Sequence, residues 1–269
     1  MPVVLNFDDK GICERMTREE KITQLIAAIP GLSDYRLGLV QNMVRVFSQP
    51  WTIKRAPDSD IISEFALLDF GDIMRIHHCF SREPFSKDKF EFALEAVLRA
   101  SGMAAELAPR GRRGYDIKIA ERNVSLKTEA AKAIRDDVLH ISKFMELGGG
   151  HWGDDPNDLD GLRQQFLDNL AGIDRILVLR ALRKGEPDYL YELVEIPKNL
   201  LEKASEGRFE MRTESIQHPK PGYCYVENAG KLLFSLYFDG GGERKLQIKS
   251  LKKWLCKVHA SWSWQFQSP

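Results

Sequence analysis

Asp116, Ser125, Lys127 and Glu129 have the types and spacing to handle a phosphate ester. Residues 115–120 alternate as a strand should, and residues 124–128 follow as a second strand after a turn at 121–123. On the second strand Ser125, Lys127 and Glu129 are two apart. They share one face for as long as the chain stays extended, while Leu126 and Thr128 point the other way. A carboxylate can hold a hard divalent cation through oxygen. That cation can activate water and neutralise an anionic ester, and an ammonium can stabilise the charge that builds up. An Asp followed by Ser-X-Lys is also the pattern of an ordinary solvated hairpin, so its weight comes from the elements around it.

Those elements alternate in type. Ser86 opens a helix whose face is Phe90, Ala93, Leu94, Val97 and Leu98, with Gly102 just past its end. Glu91 and Glu95 lie four apart on that helix, on one face, and are the obvious candidates for the further carboxylate that such a metal needs. A short strand at 104–108 and a turn at 109–114 lead into the hairpin. After it a long helix is expected over 129–147, broken at Gly148, and another over 158–170. Strands follow at 175–182 and 189–196, rich in β-branched, leucine and tyrosine residues. A short helix after Pro197 precedes strands at 209–213, 223–227, 232–238 and 245–248, a helix at 250–258 and an aromatic tail. At the start of the chain, Thr17 and Glu20 form a capping-box pattern for a helix that Pro30 stops; two more helices are expected at 34–47 and 59–68. The fold class is therefore α/β: a mixed central β-sheet flanked by helices, with a helical N-terminal region and a β-rich C-terminal portion. The corresponding division is 1–85, 86–200 and 201–269, within one compact domain.

A helix bearing Glu, then a strand with Asp, then a strand at the place of an acid-X-Lys signature, then a helix together resemble the PD-(D/E)XK nuclease core, in the style of type II restriction endonucleases. The resemblance covers about residues 86–147, with the strands near Arg175 and Tyr189 extending the sheet. It implies a restriction-endonuclease-like core and Mg²⁺-dependent hydrolysis of double-stranded DNA at a short sequence. Asp116 matches the family's metal-binding aspartate and Lys127 its lysine. Ser125 stands where the family usually has Asp or Glu, and Tyr115 where its often-variable proline would be. The missing acid then comes from a neighbouring element, with Glu95, Glu129, Asp136 and Asp137 all open. The implied catalytic set is Asp116, Lys127, Ser125 and Glu95, and the implied metal set is Asp116, Glu95 and Glu129.

The bulk composition bounds the rest. Apolar residues make up 43% and charged residues 29%, which supports a packed core. The formal net charge is zero, so any DNA-binding surface must be a local concentration of cations. Two such places stand out. Arg110, Arg112 and Arg113 flank glycines just before Asp116. Arg244, Lys245, Gln247 and Lys249 follow a run of three glycines, where they can meet phosphates and base edges. Four scattered cysteines with no CxxC pair suggest reduced thiols and a cytoplasmic protein. Neither a nucleotide-binding fingerprint nor an apolar run long enough for a bilayer is visible, so no nucleotide cofactor and no membrane are expected. One active site per chain suggests a homodimer on a palindrome. A structure- or lesion-specific repair nuclease and a non-catalytic DNA-binding module are the alternatives.

Overall fold

The computed structural model describes residues 16–109, 111, 114–148, 152–185 and 187–266. The chain divides into two compact units, 1–45 and 46–269. In the first, α1 (Arg18–Ala28) starts at the capping box, with Thr17 and Glu20 satisfying each other's backbone amides. Helix α2 (Asp34–Ser48) follows and runs into the second unit.

The second unit continues through β1 (Trp51–Arg55), α3 (Glu64–Phe80) and α4 (Lys87–Ala100). Then come β2 (Ala105–Leu107), β3 (Ile117–Ile119), β4 (Arg122–Glu129), β5 (Val138–Glu146) and α5 (Asp160–Ala171). They are followed by β6 (Arg175–Gly185), β7 (Asp188–Ile196) and α6 (Lys198–Glu202). Strands β8 (Arg208–Met211), β9 (Gly222–Asn228), β10 (Lys231–Phe238), β11 (Lys245–Lys252) and β12 (Lys257–Gln265) complete the chain.

A seven-stranded sheet in the order β1-β12-β7-β6-β4-β3-β2 forms the centre. It is mixed: β4 and β6 are parallel, and the other neighbours are antiparallel. Strand β6 is buried from Arg175 to Ala181 because both of its faces are covered. Leu177 and Leu179 face a core shared with α3 and α4, including Phe70, Phe90 and Leu94. Ile176 and Val178 face a second core made with α5 and one face of a five-stranded sheet, ordered β5-β11-β10-β9-β8. The α/β class with a mixed, helix-flanked sheet is thus the observed one.

Two expected helices are strands. Residues 130–137 form bends and turns, and β5 occupies most of the remainder of the expected 129–147 helix. The alanines at 130, 131 and 133 favour a helix locally, but Leu139, Ile141 and Phe144 are buried with polar residues between them. That near-alternation fits β5 to the edge of β11. The expected 250–258 helix is likewise absent. Strand β11 continues to Lys252 through an irregularity between Ile248 and Leu251, where Ser250 takes a left-handed φ of 56°. A short 3₁₀ turn at Lys253–Leu255 then leads into β12. This strand inserts between β1 and β7 and buries Trp262 and Trp264 in the first core. Near the N-terminus, β1 was not expected, and α3 begins at Ser63 rather than Ser59. No helix among the described residues is long and apolar enough to cross a membrane.

Candidate active site

The β3–β4 hairpin pairs Ile117 with Val124 and Ile119 with Arg122, leaving Ala120 and Glu121 as the two-residue turn. Both turn residues have positive φ, 45° and 70°, as the twist of a tight hairpin demands. The turn therefore lies one residue earlier than the alternating pattern suggested, and this sets the register across the site. Asp116 sits just before β3, and its backbone is tied on both sides: its amide donates to the Val124 carbonyl and its carbonyl accepts from the Ala108 amide.

Its side chain turns across the hairpin. Asp116 Oδ2 accepts the Leu126 amide at 2.6 Å and the Ser125 hydroxyl at 3.1 Å. Lys127 Nζ stands 3.8 Å from the same oxygen. Val124 and Leu126 point into the first core, which sends Ser125 and Lys127 to the opposite face together. The Lys127 stem is buried, and its ammonium lies 5.3 Å from the centre of the Phe144 ring on β5. Burial pulls this ammonium below its ordinary pKa against the attraction of Asp116, and Lys87 pulls it lower still. Burial pushes the Asp116 carboxyl up. The Lys127 and Lys87 charges and the Leu126 amide outweigh it, so Asp116 is held below the usual carboxylate value.

The other Asp116 oxygen, Oδ1, receives Lys87 Nζ at 2.7 Å, and the same ammonium stands 2.7 Å from Glu91 Oε1. Glu91 is thus the acid of α4 drawn to the Asp116–Lys127 pair. Glu95, one turn further along, accepts the Leu107 amide and faces Arg99. Glu129 does share the Ser125 and Lys127 face, but its carboxylate accepts from the buried Arg180 and from the His140 amide. Asp137 is engaged by Arg135 on the surface. A cleft of about 620 Å³ opens above Asp116 and Lys127, walled on the far side by Lys143, Met145 and Glu146 of β5 and by Gln165 and Asn169 of α5.

The expected DNA-contacting residues divide by position. Arg110, Arg112 and Arg113 lie outside the described residues. Arg244 occupies the turn before β11 with a φ of 39°, and Lys245 pairs with Glu243. Gln247 and Lys249 alternate with the core residues Leu246 and Ile248, so they lie on the face of the five-stranded sheet turned away from the second core. There Gln247 bridges His140 and Asp239, and Lys249 sits 3.6 Å from the Tyr237 ring centre. Lys87 was not among the expected residues. A Lys and a Glu four apart on a helix form a common surface pair, so the spacing carried no signal of a third partner 29 residues away.

The sequence model of the SmaI type II site-specific deoxyribonucleases matches residues 25–264. This chain belongs to that family. Among curated proteins it is 44% identical over 213 residues to the type II restriction enzyme SmaI of Serratia marcescens, covering 78% of this chain and 84% of the relative. No solved structure matches it. As a member of the SmaI family the chain is a site-specific deoxyribonuclease, an enzyme that must bind DNA and break phosphodiester bonds. Asp116, Lys127 and Lys87 line one cleft, and Glu91 pairs with Lys87 beside it.

Proposed function

We propose that this hairpin and α4 form a PD-(D/E)XK-type centre that hydrolyses both strands of duplex DNA at a short sequence with Mg²⁺. The observation that carries the reading is a carboxylate, Asp116, meeting one ammonium at each oxygen, with a second carboxylate, Glu91, on the far side of Lys87. A cation already occupies the space between Asp116 and Glu91, which fits that space to positive charge. Among the described residues no group of three or more His, Cys, Asp or Glu side chains is arranged to hold a metal. Two carboxylates suit Mg²⁺, which keeps several waters and takes substrate phosphate oxygens as further ligands. When bound, Mg²⁺ supplies charge neutralisation and a more acidic water.

The chain's own residues do the remainder. Asp116 and Glu91 would hold the metal. The Ser125 hydroxyl and the Leu126 amide fix the Asp116 carboxylate from its other side, so serine at this position orients the acid instead of adding one. Lys127 stands against the scissile phosphate, whose negative charge favours the ammonium form that burial alone disfavours. Lys143, Gln165 and Asn169 offer donors to the DNA backbone across the cleft. Lys245, Gln247 and Lys249, with Arg110, Arg112, Arg113 and Arg244, contact the duplex, and residues 201–269 carry recognition. Two copies act on a palindrome, one centre per strand. In Asp116→Ala and Lys127→Ala, plasmid cleavage in Mg²⁺ should fall by at least about a thousandfold while duplex binding in a gel-shift assay survives. Two variants that cut at the normal rate would remove the assignment.

A further inference from the structure

We propose that Lys87 is the internal counter-ion of the Asp116–Glu91 pair and swings out as a divalent cation enters. The inference rests on the reading of Asp116 and Glu91 as the pair that holds the metal.

Lys87 has an unusual address for a lysine. It is the first residue of α4, after the Ser86 cap, where the exposed amides of the helix favour an anion. Asp88 and Glu91 in the same first turns follow that preference. Lys87 runs against it, and its compensation comes from outside the helix: Asp116 on the hairpin, as well as Glu91 one turn on, each at 2.7 Å. Without this ammonium, two carboxylates would face each other in a partly enclosed site, a repulsion that a cation must relieve.

The two lysines of the site differ in freedom. The Lys127 side chain is 11% exposed and takes the Asp116 oxygen that Ser125 and Leu126 also hold. The Lys87 side chain is 40% exposed, on a flexible four-carbon stem at the rim of the cleft, and takes the other oxygen. Lys127 is built in, whereas Lys87 can leave for solvent without opening the fold. Once displaced, its charge remains at the mouth of a cleft that receives a polyanion. Lys87 is a positioning residue here: it acts on the reaction through the two carboxylates.

Mn²⁺ binding in the absence of DNA, followed by electron paramagnetic resonance, tests this in the whole protein. Lys87→Met and Lys87→Gln remove the competing charge, so both should bind Mn²⁺ about tenfold more tightly than the wild type. Both should also melt a few degrees lower in EDTA, with the deficit shrinking as Mn²⁺ is added. Unchanged or weaker Mn²⁺ binding in both variants would overturn the inference, including the case in which cleavage falls and affinity stays the same. The metal-site reading fails separately: Asp116→Asn would then bind Mn²⁺ as the wild type does.

Discussion

Ser125 donates its hydroxyl to Asp116 and holds one carboxylate oxygen beside the Leu126 amide. A hydrogen bond to a charged acceptor contributes roughly 1.5–3 kcal/mol, and the Leu126 amide remains when the hydroxyl is removed. Ser125→Ala should therefore lower kcat by about tenfold, far less than Asp116→Ala, as read in single-turnover cleavage of a short duplex. A loss as deep as that of Asp116→Ala would mean that Ser125 touches the metal or the DNA directly. Asp116 and Lys127 could be named as candidates at this scale because each has a type and spacing suited to the chemistry, and the fold brings them within 3.8 Å. Lys87 could not, because its meaning depends on a residue brought to it by the fold.

Strand β4 carries the candidate catalytic residues Ser125 and Lys127 and a structural acid in a single run. At its far end Glu129 meets Arg180, a fully buried guanidinium that also donates to Glu192 and to the carbonyls of Arg135 and Val138. Removing a partner from a buried charge costs about 3 kcal/mol or more. Glu129→Gln should lower stability by that order in urea unfolding and leave Mn²⁺ affinity unchanged. A large loss of Mn²⁺ affinity would return Glu129 to the metal set. Helix α3 sets a pH limit of its own. The His78 Nδ1–H donates to the Ser81 carbonyl at 3.1 Å, and Nε2 accepts the Tyr191 hydroxyl at 2.7 Å, an arrangement that suits the neutral ring. Burial, helped by the neighbouring His77, lowers its pKa from 6.5 to about 4. The folded-state value lies below the unfolded one, so the unfolded chain takes up the proton first. The contribution is complete above pH 6.5 and is lost as the pH falls towards 4, in total on the order of 3 kcal/mol. Unfolding free energies measured at pH 7 and pH 5 should show the decline, and His78→Gln should flatten it. Equal slopes in the two proteins would place the titration elsewhere.

At the scale of the whole molecule, the 30.8 kDa chain has a formal net charge of zero. DNA binding must then rest on local concentrations of cations, and the proposed twofold arrangement would bring two copies to one duplex. Light scattering on a mixture with a palindromic duplex should give two chains per duplex, and one chain per duplex would exclude the twofold arrangement. The strands from 201 to 269 do not stay in one layer: β8 to β11 build the second sheet, while β12 returns to the central one between β1 and β7. The basic run at 244–253 and the aromatic tail are adjacent in the chain, yet the short turn at 253–255 separates them. Lys249 comes to lie on the outer face of one sheet and Trp262 in the core of the other.

Local pattern and composition were enough to place α4, the β3–β4 hairpin to within a residue, β6 and β7, and with them Asp116 at the entry to the hairpin and Lys127 on its second strand. Helix α4 follows its helical period, and β6 and β7 are short runs rich in β-branched, leucine and tyrosine residues, so neighbours in the chain suffice to reveal them. The two misread helices show the limit. In β5 and at the β11–β12 junction, alanine, lysine and leucine content favours a helix, and pairing with β11 or with β1 and β7 overrides that preference. Which of the two candidate acids of α4 approaches Asp116 was beyond reach for the same kind of reason. Glu91 and Glu95 share a helix face, and only the packing of α4 against the hairpin sends one to Lys87 and Asp116 and the other to the Leu107 amide.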